Sequence, residues 1–196
     1  MCEQLGQLLT GSKVVLENFE NNLFLPLFYQ ELQKNGPTSY NKYSLPSQLQ
    51  FLKNRIDTEK NCNEQNKIYI IERSIAEDRF IFVENMYRNG LMSLEELQRF
   101  DIEREEKSKN LDNVDLFVFL RASPEKVLER IISRGRESEK GISEQYLASL
   151  HELYENKLLV ELRKLEDFSK VLIYDVDEVG IEELANLVAR DVKSFN

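Results

Sequence analysis

The sequence predicts an α/β fold built on a parallel sheet, and three observations predict it. Four short apolar runs at 14–17, 68–71, 116–120 and 171–175 contain no Gly or Pro. They read as strands, with 68–71, β-branched or aromatic throughout, buried on both faces. Stretches with helical periodicity separate the runs. Finally, 68–71 passes without a spacer into Glu72, Arg73 and Ser74 and then into a helix. Such a charged strand-to-helix turn either faces the crevice at the carboxyl ends of a parallel sheet, where ligands bind, or is a surface ion pair of Glu72 and Arg73 at a strand end.

The totals narrow the function classes. A chain of 196 residues with 31% charged and 41% apolar residues is one globular domain with a substantial core. A net charge of -9 excludes a broad nucleic-acid footprint, which needs clustered Lys and Arg, but a few local arginines can still hold a nucleotide-sized anion. Cys2 and Cys62 form no CxxC pair, and His151 is the single histidine. No metal site is therefore expected, and a reducing compartment follows. No apolar run reaches the length of a membrane span, and the opening Met1-Cys2-Glu3-Gln4 is not a secretory signal.

Taken in order, residues 2–9 place Leu5, Leu8 and Leu9 on one face of a short helix, closed by Gly11 and Ser12. The strand 14–17 ends in Glu17, either a first-turn charge or, with an Arg nearby, an acid–base group. Residues 23–29 are aromatic-rich, and 34–41, with Asn35-Gly36-Pro37, is a loop. The helix 44–56 sets Gln48 and Arg55, seven apart, on one face, with Phe51 on the turn between. A polar loop covers 57–67. After the charged turn a helix carries Ile75, Phe80, Phe82, Val83 and Met86 and breaks at Gly90. The charged helix 94–110 needs no role beyond a solvated face.

Strand 116–120 leads through Pro124 into the helix 125–133. At its end Arg130 and Arg134 share a face and Arg136 lies just past Gly135, where the helix stops. One cation there would only complement the helix dipole; here three converge on one small region. The long helix 142–165 has an apolar stripe of Tyr146, Leu150, Leu153, Tyr154, Leu158 and Leu162, for the core or a dimer contact. Strand 171–175 and helix 181–195 close the chain.

The turn Glu72-Arg73-Ser74, the pair Asp78-Arg79 four residues on, the run FVEN at 82–85 and the following Asn89-Gly90 resemble the deoxynucleoside kinases, which transfer the γ-phosphate of ATP to the 5′-hydroxyl of a deoxynucleoside. The resemblance extends from about residue 14 to the C-terminus. It implies a P-loop NTPase-like three-layer fold with a helical LID at 130–142, in a single domain spanning 1–196. Glu17 matches the general base, although Asn18 stands where the family has Pro, and Arg73 matches the Arg that holds it. Tyr29 matches the donor to the sugar 3′-hydroxyl, and Glu139 the LID group that accepts from it. Gln48 matches the amide that pairs with the base edge, with Phe51 limiting base size. Arg55 and Asp78 match a charged pair present in members that take deoxycytidine or deoxypurines and absent from those favouring thymidine. The segment QLQFLKNR at 48–55 resembles the bacterial-type deoxyadenosine and deoxyguanosine kinases. Arg130, Arg134 and Arg136 match the LID arginines that clamp phosphates, Arg130 being the catalytic one, and Asp175 opens the turn whose backbone approaches adenine.

Nothing in the chain matches GxxxxGK[ST]. In the family a central strand and this phosphate loop precede the helix that 2–9 resembles. The expectation is a domain incomplete at its N-terminus, inactive as it stands. The intact protein would use ATP and Mg²⁺, act as a homodimer with no DNA, RNA or membrane partner, and be cytoplasmic, or mitochondrial if a missing N-terminus carries a transit peptide. The rival expectation is a non-catalytic nucleoside-binding or regulatory subunit. A nucleoside monophosphate kinase is a further alternative, opposed by the Glu-Arg-Ser turn and the Gln48, Arg55, Asp78 trio.

Overall fold

The structure, a computed structural model, describes residues 1–111, 114–135, 144–164 and 169–194. The chain divides into two compact units, one of Met1–Val14 with Asn113–Asn196 and the other Val15–Asp112.

In the first unit helix α1 (Cys2–Leu8) packs on the C-terminal helix α10 (Ile181–Lys193). Gly6 is required there, because a Cβ at this position would stand 2.4 Å from the Val14 side chain. Strand β3 (Leu116–Arg121) pairs in parallel with β4 (Lys170–Asp175), from Leu116 opposite Lys170 to Arg121 opposite Asp175. Helix α7 (Pro124–Arg134) follows β3, capped by Ser123, whose hydroxyl accepts from the Lys126 N–H. Its end is Gly135 in the left-handed region at φ 65°, with its N–H bonded to Ile131 O, the termination the sequence predicts.

The long helix expected over 142–165 is α8 (Glu144–Leu153), a π-helical turn (Tyr154–Leu158) and α9 (Leu159–Arg163). The expected stripe holds for Leu153, Leu158 and Leu162, but Tyr146 is exposed and Leu147 and Leu159 are buried instead. The wide turn shifts the helical phase, so one uninterrupted stripe cannot describe both halves.

In the second unit α2 (Leu25–Asn35), α3 (Ser44–Lys60) and α6 (Leu94–Ser108) surround a core of Phe28, Leu52, Ile56, Val83, Met86 and Phe100. Helix α6 opens with a capping box, Ser93 and Glu96 each bonding the other's backbone N–H. Helix α3 runs four residues past its expected end at 56 and shortens the polar loop expected from 57. Buried Asn22 accepts from the N–H groups of Phe24 and Leu25 and donates to Ser47 O, while buried Asn41 donates to Phe28 O and accepts from the Tyr43 N–H. Each thereby ties α2 to the start of α3; Asn41 closes the stretch 34–41 that the sequence reads as a loop.

Strand β1 (Lys13–Val15) pairs with β2 (Tyr69–Ile71), the Glu72 N–H donating to Val15 O at 2.9 Å. Two expectations change here. The strand predicted over 14–17 stops at Val15, because the Glu17 N–H is bonded to the Glu72 side chain rather than to a strand. And β2, expected to be buried on both faces, is half-buried at all three residues, with one strand neighbour among the described residues. Beyond it α4 (Ile75–Glu77), a π-helical turn (Asp78–Val83) and α5 (Glu84–Arg88) form one continuous helix, ended by Gly90 at φ 73°. No helix among the described residues is long and apolar enough to cross a membrane.

Candidate active site

Three elements of the second unit meet around one guanidinium. Arg55 projects from the middle of α3, 9% exposed; its Nη2 donates to Glu17 Oε1 and its Nε to Asp78 Oδ2, both at 2.5 Å. Glu17 lies just past β1 and Asp78, 1% exposed, opens the π turn. The other Glu17 oxygen, Oε2, is 3.8 Å from Arg73 Nε. A single carboxylate is thus held between two arginines from different elements.

The turn that supplies Arg73 is locally strained. Arg73 has φ 71°, a region that a bulky L-residue adopts only when its surroundings require it, and such residues gather at functional sites. Its Nη1 donates to Glu77 Oε1 at 3.1 Å, and its guanidinium lies over the Phe82 ring at 5.7 Å. Ser74 caps the following helix, its hydroxyl accepting from the Glu77 N–H at 3.2 Å. Glu72, the residue before Arg73, accepts from the Glu17 N–H at 3.0 Å. Glu72 therefore fixes the Glu17 backbone, a role hidden in the sequence, where it reads as half of an exposed ion pair with Arg73.

Glu17, Arg55, Glu72 and Arg73 border a cavity of 230 Å³, lined also by Asn18, Phe51 and, one turn beyond Arg55 on α3, Glu59; Asp78 lies behind Arg55, outside that lining. Burial disfavours the charged Arg55, but Asp78 and Glu17 outweigh it and raise its pKa. Burial pushes the Asp78 carboxyl up to about 7 against the pull of Arg55. Burial likewise raises Glu59, again with Arg55 opposing. Sequence reasoning passed over Glu59; its four-residue spacing from Arg55 was the available signal.

Gln48 shares the buried face of α3 with Arg55 and is 3% exposed. Its Oε1 is buried and accepts no hydrogen bond among the described residues. An orphaned buried acceptor is costly in a folded protein and asks for a partner from outside it. Tyr29 is 38% exposed on α2, edge-on to the Phe28 ring; neither it nor Gln48 is part of the cavity lining.

In the first unit, Arg130 Nη2 donates to Val176 O at 2.5 Å and so pins α7 to the end of β4. Arg134 is exposed in the last turn of α7, while Arg136 and Glu139 lie outside the described residues. The Asp175 side chain is 76% exposed with its Oδ1 3.5 Å from Arg121 Nη1. Two residues on, Asp177 accepts from the Ser123 N–H, closing the turn from β3 to α7.

The order of elements and the paired strands fit a P-loop NTPase-like α/β fold. The structure of deoxyadenosine kinase from M. mycoides with bound dCTP superimposes with a TM-score of 0.76 at 20% identity, covering 98% of this chain and 91% of that one. The sequence is more specific. The chain belongs to the deoxynucleoside kinase family, whose sequence model matches residues 3–195. It is 32% identical to a deoxyguanosine kinase of Dictyostelium discoideum over 202 aligned residues, all of this chain and 65% of that protein. It is 34% identical to a deoxycytidine kinase of Mus musculus over 139 residues, 67% of this chain and 53% of that protein. The chain thus spans less than two thirds of the length of these two relatives.

Proposed function

We propose that the protein transfers the γ-phosphate of ATP to the 5′-hydroxyl of a deoxynucleoside, favouring a deoxypurine or deoxycytidine. The observation that carries this reading is the buried set of Gln48, Arg55 and Asp78 beside Glu17. Gln48 offers an unpaired acceptor to a base N–H, and its amide nitrogen is a donor suited to a neighbouring ring nitrogen or carbonyl. Arg55 and Asp78 present a donor and an acceptor side by side, suited to the O6/N7 edge of guanine or the exocyclic amine of adenine or cytosine. Thymine has no exocyclic amine to give Asp78.

Glu17 is then the base. Its carboxylate borders the cavity and lies between two guanidiniums, so it is held in place to accept the 5′-hydroxyl proton as the oxygen attacks phosphorus. Arg73 orients it. Arg130, Arg134 and Arg136 of a LID spanning 130–142 stabilise the charge on the transferring group, Tyr29 and Glu139 hold the 3′-hydroxyl, and the backbone beside Asp175 approaches adenine. In this reading 1–196 is one kinase domain that works as a homodimer in the cytoplasm or mitochondrion. Among the described residues no group of three or more His, Cys, Asp or Glu side chains is placed to hold a metal. No step is assigned to Mg²⁺, which in phosphoryl-transfer sites is held by one or two carboxylates together with the substrate phosphates.

The test incubates the protein with ATP, Mg²⁺ and each of the four deoxynucleosides and resolves the products by chromatography, alongside calorimetric binding of the same nucleosides. Nucleoside binding that favours deoxypurines or deoxycytidine over thymidine, with 5′-monophosphate as product, is expected. A protein that neither binds nor phosphorylates any of them refutes the assignment.

A further inference from the structure

Asp78 occupies the first position of a π-helical turn, and the next residue, Arg79, faces elsewhere. Asp78 reaches Arg55 on α3. Arg79 reaches α6, where its Nε donates to Asp101 Oδ1 at 2.5 Å, and α5, where its Nη1 donates to Glu84 Oε2 at 3.0 Å. Each carboxylate has a second cation: Glu84 Oε1 accepts from Arg88 Nε at 3.0 Å, and Asp101 Oδ1 is 3.7 Å from Arg104 Nε. The Arg79 and Glu84 side chains are each 12% exposed, so this network is largely withdrawn from water and is not a solvated surface pair.

A π turn holds one more residue than the α-helix on either side of it, and it persists where tertiary contacts hold it open. Arg79 supplies such contacts, because its planar fork spans from inside the turn to Glu84 just beyond it and across to Asp101. If the turn tightened to α geometry, residues on its N-terminal side would rotate by about 100° relative to those beyond it. Asp78 is the residue that such a rotation would carry away from Arg55.

We propose that Arg79, held by Glu84 and Asp101, is a positioning and specificity-determining residue for the nucleobase site, keeping the π turn in the one register in which Asp78 meets Arg55. Arg79 acts through Asp78 and touches no substrate. With it removed, Arg55 keeps Glu17 but loses its paired acceptor, and recognition of an exocyclic amine goes with it. This inference rests on the deoxynucleoside reading of the same site. It goes further in assigning base selectivity to a network that lies behind the base-reading residues.

The test measures Kd values of deoxycytidine, deoxyguanosine and thymidine for this chain and for its Arg79→Met, Arg79→Lys and Asp101→Asn variants. Arg79→Met is expected to reduce the preference for deoxycytidine over thymidine about tenfold, the scale of one lost base-edge pairing. Asp101→Asn moves the ratio the same way by less. Arg79→Lys, a point charge able to keep one carboxylate, recovers part of it. Should Arg79→Met not fold, Asp101→Asn decides. A second readout needs no ligand: in the free protein the Asp78 carboxyl resonance titrates at a different pH in Asp101→Asn than in the wild type. Equal weakening for every nucleoside, or none, with an unchanged Asp78 titration would overturn the proposal, the network then being only a brace between helices. A wild type that binds no deoxynucleoside would instead sink the functional reading, while the Asp78 titration still reports whether the network sets its register.

Discussion

Replacing Asp78 by Asn removes a charge and little else, because the two side chains are nearly the same size and the site is buried. The Asp78 carboxyl is raised from its ordinary 3.8 to about 7 by burial, which outweighs the attraction of Arg55 2.5 Å away. A carboxyl whose folded pKa lies above its unfolded value binds more protons in the folded state. Its stabilising contribution is therefore complete below about pH 4 and is lost as the pH rises through about 7. The interval is about three pH units at ~1.4 kcal/mol each, so the wild type loses about 4 kcal/mol between pH 4 and pH 8 through this group. Asp78→Asn has no such loss. Urea denaturation of both proteins across this range should give stability curves that diverge towards high pH, the variant gaining on the wild type by about that amount. Curves that stay parallel would show that Asp78 is ionised throughout and that the burial argument is mistaken. The same titration bears on recognition. Asp78 accepts from an exocyclic amine best when ionised, so the affinity for deoxycytidine relative to thymidine should rise from pH 6 to pH 8 in the wild type and stay flat in the variant.

Three further substitutions separate chemistry, binding and fold. Gln48→Leu removes an acceptor that no group among the described residues satisfies; the variant should unfold at the same or a higher urea concentration while its deoxynucleoside Kd rises about 10- to 100-fold. Glu17→Gln keeps an oxygen for Arg55 but cannot take a proton, so in protein competent for transfer kcat should fall about 10²- to 10⁴-fold with KM little changed, as read by initial rates. Gly135→Ala forces a Cβ into the left-handed conformation at φ 65°, and thermal unfolding should show a loss of about 1 kcal/mol with nucleoside binding unaffected.

The positions of strands and helices were legible because their apolar periodicities are long and their ends carry Ser93, Ser123, Gly90 and Gly135. The two π turns among the described residues were not, since one extra residue in a helix leaves composition and local pattern intact; the unseen role of Arg79 follows from that. In the site, Gln48, Arg55, Asp78 and Glu17 could be picked out by residue type and spacing. That Arg55 touches both carboxylates at once could not, because it depends on where α3 lies relative to β1 and to the π turn. Glu72 was misread for a related reason: its partner is a backbone N–H fifty-five positions away, which no local pattern reports. Tyr29 matches a family position in sequence and is 38% exposed on α2; like Gln48 and Asp78, it lies outside the cavity lining.

The central claim is that Gln48, Arg55 and Asp78 read a nucleobase. Calorimetric titration of this chain with deoxycytidine, deoxyguanosine, deoxyadenosine and thymidine at pH 8 tests it most directly, with Gln48→Leu as the control. Binding of the three amine-bearing nucleosides, weaker binding of thymidine, and loss of all four in Gln48→Leu is the predicted result. Equal affinity for all four that survives Gln48→Leu would place recognition elsewhere and contradict the account.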